Sequence, residues 1–269
     1  MNILHISDIH YCQNDKVYSK GYKGMIYKMD NPLIHLEACL KEVIQTQQID
    51  LLLISGDLTE DGSVEDYAYL KKWFEEQIPN MKIIVTLGNH DIKENFYEGW
   101  LGKASSSASY NLVETFEEFY LISFDSSVYG LADGSMSDEQ FNWLEEQLNN
   151  HQDKPVILMT HHHVLENQSS TPVLPESNRL INLIREYSIS CFVNGHTHHV
   201  FNGDIHGIPY FTVNGMSFVG EDEGSGLVRF EQKHGYNIYQ VEDGMVKKQL
   251  SENFFTGKII ARVDMKNDI

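Results

Sequence analysis

The chain has 269 residues, of which 41% are hydrophobic, and this is enough to bury a core. Its formal charge of −19 repels nucleic-acid backbones and anionic lipids, and therefore disfavours a nucleic-acid partner. No run of about 18 apolar residues occurs, and the first residues lack the basic and apolar segments of a signal peptide. We therefore expect a cytoplasmic protein with no membrane span. The three cysteines are far apart, which disfavours a disulfide framework.

The first part of the chain predicts alternating strands and helices. Apolar runs at 2–6, 49–54 and 81–87 are typical of buried strands. Between these runs, Asn31 before a proline predicts the start of one helix, and Ser63 predicts the start of a second. This alternation is typical of an α/β domain with parallel strands.

The remainder of the chain predicts fewer helices and more strands. Residues 110–124 predict two strands joined by a tight turn, and Ser137 with Gln140 forms a capping-box pattern at a helix start. Further predicted elements are a strand at 155–159, a helix at 176–187 and a strand at 189–193. Short β-type runs continue from about residue 199 to about residue 263. Because no linker or repeat divides the chain, we expect a single domain over residues 1–269.

Five short motifs follow predicted strands. They are Asp8-Ile9-His10, Gly56-Asp57, Gly88-Asn89-His90-Asp91, His161-His162-His163 and Gly195-His196-Thr197-His198. Ligands of open α/β sheets bind beyond the carboxyl ends of the strands, so we expect these motifs to converge. Carboxylate, amide and imidazole ligands together suit divalent metals such as Mn, Fe, Zn, Co or Ni, rather than Ca or Mg.

Each of these residues, taken alone, also has an ordinary structural interpretation. Asp8 could be a loop carboxylate, and Asn89 and Asp91 fit common turn chemistry. The three consecutive histidines could belong to a solvated loop. Five such motifs in succession, each after a strand-like run, instead indicate a site for two metal ions.

The motifs DIH, GD, GNHD, a histidine-rich strand end and GHTH, in that order, resemble the five-block pattern of the calcineurin-like metallophosphoesterases. The segments HISDIH, THHH and GHTH are most similar to the branch of class III cyclic-nucleotide phosphodiesterases. That branch continues its histidine pair with proline, whereas Val164 and Leu165 stand here. The resemblance implies an α/β fold, a four-layer α/β/β/α sandwich of two mixed β-sheets flanked by helices.

The resemblance also implies ligands for two divalent ions, with Mn, Fe or Zn as the expected metals. The first ion would be held by Asp8, His10, Asp57 and His198. Asp57 would bridge to the second ion, which Asn89, His161 and His196 would complete. Among the three consecutive histidines we favour His161 as the ligand, because it lies closest to the strand, where the backbone is most rigid.

The same resemblance implies catalytic roles for His90 and Asp91. His90 would lie near the leaving-group oxygen, and Asp91 would orient its ring. His162 or His163 would face the substrate. A hydroxide that bridges the two ions would attack the phosphorus in line with the leaving group.

A lysine- and tyrosine-rich segment follows the first motif. Its members are Lys16, Tyr18, Lys20, Tyr22, Lys23, Tyr27 and Lys28. The segment has two glycines and no clear period, which predicts a flexible lid within residues 11–29. In that interpretation the tyrosines stack a base and Lys23 binds the phosphate of the substrate. The alternative is a solvated loop with snorkelling lysines.

We therefore expect an enzyme that hydrolyses a small phosphate ester, in the first place a phosphodiester such as a cyclic nucleotide. A phosphomonoesterase or protein phosphatase could use the same metals, and so could a nuclease, although the charge of −19 disfavours the latter. A non-catalytic scaffold is disfavoured because no implied ligand is missing and His90 is present. The sequence makes no prediction of oligomeric state.

Overall fold

The computed structural model describes residues 1–13 and 18–267. The helices are α1 Gly21–Lys28, α2 Pro32–Thr46, α3 Val64–Gln77, α4 Lys93–Gly99, α5 Asp138–Asn150 and α6 Ser177–Ile184. The strands are β1 Asn2–Ile6, β2 Leu51–Ser55, β3 Lys82–Thr86, β4 Leu112–Thr115, β5 Tyr120–Ser123, β6 Val156–Met159, β7 Ile189–Asn194, β8 Phe201–Ile205, β9 Ile208–Thr212, β10 Val219–Gly224, β11 Leu227–Glu242 and β12 Met245–Asp264. Over the described residues, no helix is both long and apolar enough to span a membrane.

The strands form two six-stranded mixed sheets. In the first sheet β1, β2 and β3 run parallel, β11 is antiparallel to β1, and β10 and β12 are both antiparallel to β11. In the second sheet β5, β6, β7 and β9 run parallel, and the outer strands β4 and β8 are antiparallel to their neighbours. The parallel strands of each sheet therefore end on one edge.

Alternate side chains of the central strands define four layers. Leu52 of β2 packs with Leu36 of α2 in the core on one side of the first sheet. The next residue, Leu53, points the other way and packs with Ile157 of the second sheet. The far side of the second sheet is covered by α5 and α6. Leu144 of α5, for example, packs in one core with side chains of that sheet. The predicted four-layer sandwich with two mixed sheets is therefore confirmed.

The predicted helix starts are confirmed by their caps. The Asn31 side chain accepts a hydrogen bond from the Leu33 amide at 3.0 Å. Ser63 and Asp66 form a reciprocal capping box, in which each side chain accepts from the backbone amide of the other. A second capping box begins α5 at Ser137. These side chains satisfy backbone donors that the first turn of a helix leaves free.

The prediction of a flexible lid is wrong for residues 21–28, which form α1. Met25 and Ile26 are buried against Phe218 and Phe230, and this contact orders a segment whose own sequence shows no clear period. Lys16, which belonged to the same prediction, lies outside the described residues.

The part of the chain after residue 199 is β, as predicted, but two of its strands are not short. The strands β11 and β12 have 16 and 20 residues and pair along almost their whole length. Register shifts interrupt this pairing near residues 230–233 and 240–241. A long strand broken by bulges resembles several short ones in sequence, which explains the difference.

The burial of two nearby residues of α2 predicts that their replacement by alanine will affect the free energy of unfolding very differently. Leu36 is 0% exposed, whereas Ile34 on the same helix is 63% exposed. Leu36→Ala should lower the free energy of unfolding by about 2–5 kcal/mol, because it leaves a cavity in the core. Ile34→Ala is the matched control and should change it by less than about 0.5 kcal/mol. Urea denaturation of both variants would test this, and equal losses would contradict the assigned packing.

Candidate metal centre and active site

The five predicted motifs converge at the edge where the parallel strands end. Potential ligand atoms of Asp8, Asp57 and His161 lie within 4.8 Å of one another. The same holds for Asp8, His10 and His198. Asp8 and Asp57 follow strands of the first sheet, whereas the histidines at 161 and 198 follow strands of the second. The site therefore lies where the two sheets meet.

Asp57 lies between two groups of imidazoles. Its Oδ2 atom is 3.3 Å from His161 Nε2 and 3.7 Å from His10 Nε2. On one side, His10 Nε2 and His198 Nε2 are 3.2 Å apart, and on the other His196 Nδ1 is 3.2 Å from His161 Nε2. A carboxylate between two such groups has the position that a bridging ligand requires.

Five of the seven predicted ligands have a left-handed backbone conformation. Their φ angles are 52° for Asp8, 49° for His10, 46° for Asp57, 70° for His196 and 56° for His198. Residues other than glycine rarely adopt this conformation, and each instance costs of order 1–3 kcal/mol. Such strain concentrates at functional sites, where the surrounding structure holds it in place. The backbone at these strand ends is therefore arranged for the site rather than for its own stability.

Two glycines allow the strand-end loops to approach each other. A Cβ atom on Gly88 would lie 2.1 Å from Asp57 Oδ1. A Cβ atom on Gly195 would lie 1.9 Å from Ser7 Oγ and 2.7 Å from Asp8 Oδ2. Any larger residue at either position would displace a carboxylate of the site, which explains why glycine precedes the histidine or asparagine in these motifs.

Two of the histidines, His161 and His198, are oriented by a hydrogen bond at Nδ1, the ring nitrogen that faces away from the site. His161 Nδ1 lies 2.7 Å from the carbonyl oxygen of Ser55, and His198 Nδ1 lies 2.7 Å from that of Phe218. A carbonyl oxygen only accepts, so in each ring Nδ1 donates and Nε2 faces the site. When the ring is neutral, this Nε2 carries the lone pair that a metal ion needs.

The donor set fits divalent metal ions. Asn89 is 6% exposed, and its Oδ1 atom has no hydrogen-bond partner among the described residues. His196 Nε2 is likewise buried and lacks one. Buried polar atoms are rarely left unsatisfied, because each costs about 1–3 kcal/mol. A bound cation would satisfy such atoms, and the mixture of carboxylate, amide and imidazole suits borderline metals.

Glu60 is a site residue that the sequence analysis missed. Its Oε2 atom is 2.7 Å from His10 Nδ1, and its Oε1 atom is 3.2 Å from His90 Nδ1. The hydroxyl of Tyr22 also donates to it at 3.3 Å. Burial would raise the pKa of Glu60, but hydrogen bonds from the two imidazoles lower it to about 2. The feature of the sequence that could have indicated Glu60 is its position three residues after Asp57, on the same loop as this predicted ligand.

His90 lies beside the metal-ligand cluster, but Asp91 does not orient its ring. The Asp91 carboxylate accepts from the backbone amides of Leu58, Thr59 and Gly88 and from the hydroxyl of Tyr67. That prediction is therefore wrong, because the buried carboxylate holds two strand-end loops together and Glu60 contacts the ring instead. Burial would lower the pKa of His90, but Asp57 and Glu60 raise it to about 10.

The two predicted substrate residues lie outside the wall of the main cavity. His162 is buried, with Nδ1 at 2.7 Å from Ser126 Oγ, and it groups with His161 and His196 as a further potential metal ligand. Lys23 is exposed, and its Nζ atom pairs with Asp61 at 3.2 Å. A substrate role for either residue stays a prediction.

A cavity of about 660 Å³ opens at the converged motifs. Its inner part is lined by His10, Asp57, Asn89, His90, His196 and His198. Its outer part includes the aromatic side chains of Tyr22, Phe218 and Phe230. Five of the seven predicted ligands and His90 therefore line one solvent-accessible chamber with room for a small organic molecule, whereas Asp8 and His161 are buried behind it.

The model of the calcineurin-like phosphoesterase family matches residues 1–200, and the chain belongs to this family. The matched region contains all five motifs and Glu60. The family assignment makes the protein a metal-dependent phosphoesterase, which is a hydrolase.

Two similar proteins carry names of phosphodiesterases. A probable cyclic nucleotide phosphodiesterase of Rhodococcus erythropolis is 27% identical over 213 residues, which cover 77% of this chain and 68% of that protein. A probable glycerophosphodiester phosphodiesterase, GpdQ, of Arcobacter nitrofigilis is 30% identical over 210 residues, which cover 74% and 72%. Among solved structures, the inner-membrane-complex anchor GAP50 of Plasmodium shares the fold, with a TM-score of 0.57, 14% identity and coverage of 94% and 88%.

Replacing Glu60 should weaken metal binding although Glu60 is not itself one of the expected ligands. Glu60→Gln keeps the shape of the side chain but removes the charge that holds His10 Nδ1–H. We expect the affinity for Zn²⁺ or Mn²⁺ to fall by about 10–100-fold, as measured by competition with a fluorescent chelator. Glu75→Gln, an exposed residue of α3, is the matched control. Equal affinities in the two variants would contradict the orienting role.

Metal binding should also compete with protons. Burial would lower the pKa of His161, but the Asp57 carboxylate raises it to about 9, and Asp8 likewise raises the pKa of His198. In the metal-free site His161 is therefore protonated at pH 7, and an imidazolium cannot bind a metal. The apparent affinity should therefore rise between pH 7 and pH 9, by about tenfold per unit for each proton displaced, and then level off. Titrations with the same chelator at several pH values would test this, and a constant affinity would refute it.

Proposed function

We propose that this protein hydrolyses phosphodiesters, such as cyclic nucleotides, with two divalent metal ions. The observation that carries the proposal is the position of Asp57, whose Oδ2 lies between His10 and His161. Each of these histidines belongs to a separate cluster of potential ligands. One carboxylate between two clusters supports a pair of adjacent ions rather than a single one.

The residues divide between the two ions as follows. The first ion would be held by Asp8, His10, Asp57 and His198, and the second by Asp57, Asn89, His161 and His196. The unpartnered Oδ1 of Asn89 supports its place in this set. Mn, Fe and Zn are the metals that the mixture of ligands favours.

When bound, the two ions would polarise the phosphoryl group and make a water acidic enough to act as nucleophile near neutral pH. The chain itself supplies the proton for the departing alcohol. His90 lines the cavity beside the ligands, and Glu60 holds its Nδ1, so that Nε2 is the nitrogen left to donate this proton. Glu60 also keeps the ring in place while the proton leaves.

The charge of the cavity favours a diester over a monoester. Among the described residues that line it, none is a lysine or an arginine. A phosphodiester brings one negative charge to the site, whereas a monoester dianion brings two and gains from an additional cation. The volume of about 660 Å³ leaves room for organic groups on both sides of a phosphate. The names of the two similar proteins agree with this choice.

The first test compares two synthetic esters. Metal-stripped protein with added Mn²⁺ should hydrolyse bis-p-nitrophenyl phosphate well and p-nitrophenyl phosphate poorly, and a chelator should abolish both activities. His90→Asn should lower kcat by about 10²–10⁴-fold for a diester with an alkyl leaving group, such as a cyclic nucleotide, and much less for bis-p-nitrophenyl phosphate, whose leaving group departs as an anion, while metal affinity is retained. His206→Asn, on an exposed turn away from the cavity, is the matched control and should leave kcat unchanged.

Each alternative has its own outcome in this test. Preference for the monoester would replace the proposal with a phosphomonoesterase. No activity with Mn, Fe or Zn would point to a scaffold that has kept the fold without the chemistry. Metal titration that saturates at one ion per chain would refute the dinuclear assignment.

A further inference from the structure

A continuous wall of aromatic rings leads outward from the metal ligands. The ring centroid of Phe218 lies 5.0 Å from that of His10 and 4.4 Å from that of His198. Phe230 follows at 5.6 Å from Phe218. Tyr22 packs against both phenylalanines, at 6.3 Å and 6.0 Å. All three aromatic residues line the cavity, so a group attached to a phosphate at the metal ligands would extend along them.

The end of this wall is acidic. In the ladder between β10 and β11, Phe230 pairs with Gly220 and Val228 pairs with Asp222. Gly220 leaves room for the ring, because a Cβ atom there would be 3.3 Å from Phe230 Cε1. Since side chains two apart share a face, Asp222 lies on the face of Val228 and Phe230. By the same alternation Glu221 lies on the opposite face of β10, and it lines the cavity next to His199, with which it forms an ion pair.

The cavity that Glu221 and Asp222 line contains no lysine or arginine among its described residues. The only ion pair from the described lining to Glu221 comes from His199, at 3.4 Å and partly exposed. Asp222 accepts a hydrogen bond from the backbone amide of Gly224 at 2.7 Å. Glu221 and Asp222 therefore give the outer end of the chamber an acidic lining.

Two cations lie near the wall but do not line the cavity. Arg229 pairs with Glu231 at 2.8 Å and with Glu223 at 3.3 Å. Lys233 lies over the ring of Phe255, with Nζ at 4.4 Å from its centroid, and its charge also interacts with Glu221 and Glu231. Since neither cation is part of the lining, the charged side chains of the outer wall itself are carboxylates.

We propose that this wall, formed by Tyr22, Phe218, Phe230, Glu221 and Asp222, selects phosphodiesters that carry a positively charged alcohol group and rejects those with a second negative charge. The inference rests on the proposed function, because it places the phosphate at the metal ligands. Aromatic faces together with carboxylates attract alkylammonium groups through cation–π and Coulomb interactions. A second phosphate or a carboxylate in the same place would meet two like charges, with no described lysine or arginine in the lining to compensate.

The test uses three methyl phosphodiesters of similar size whose second alcohols are choline, its neutral isostere 3,3-dimethylbutanol, and the anionic 4-hydroxybutanoate. Each is measured as a competitive inhibitor of bis-p-nitrophenyl phosphate hydrolysis by the Mn²⁺-loaded enzyme. Their methyl group is too small to occupy the wall in place of the other arm. We expect the choline ester to bind about 3–10-fold more tightly than its neutral isostere, and the carboxylate ester to bind more weakly than both.

Two variants test whether the carboxylates of the wall cause this order of affinities. In Glu221→Gln with Asp222→Asn, the three inhibition constants should come within about twofold of one another. Glu75→Gln, which changes the net charge far from the cavity, should preserve the order. Equal constants in the wild-type enzyme, or tightest binding of the carboxylate ester, would overturn the inference while diester hydrolysis stands. Loss of hydrolysis itself would refute the proposed function instead.

Discussion

Two buried carboxylates surrounded by imidazoles are the constraint on which the rest of this structure depends. Asp8 and Asp57 are almost fully buried, and burial without compensation would make their charged forms very unfavourable. His198 and His161 compensate, and they keep the pKa of each carboxyl below its usual range although burial acts in the opposite direction. The carboxylates in turn raise the pKa of each imidazole, which favours its positively charged form when no metal is bound. Metal ions therefore replace charge that the fold already requires.

This arrangement exists only because the two sheets pack face to face. The carboxylates come from loops of the first sheet and their histidine partners from loops of the second. Side chains such as Ile3, Leu53 and Ile157 fill the space between the sheets and thereby set the distance between the loops. The left-handed residues and the glycines then bring the ligands within reach of one another. The packing between the two sheets consequently determines the geometry of the site.

Glu60 links three parts of the site that would otherwise be independent. It contacts His10, a proposed metal ligand, His90, the proposed proton donor, and Tyr22 of the aromatic wall. A single carboxylate thus connects the inner end of the cavity, where we propose that the phosphate binds, to the part where an organic group would lie. Carboxylates are also present in the outer wall of the cavity. In such an open chamber, charge rather than volume distinguishes the groups that can bind.

Local sequence patterns were sufficient to predict the five motifs, their order after strands, the helix caps at Asn31 and Ser63, and an α/β domain with parallel strands. These features are local, since they depend on periodicity and on residues a few positions apart. Long-range contacts, in contrast, are the reason that Glu60 rather than Asp91 contacts His90, that residues 21–28 form a helix, and that these particular rings line the cavity. Each of these features depends on contacts between segments that are distant in the chain, such as α1 and Phe230. A local sequence pattern contains no information about which distant side chains come into contact when the chain folds.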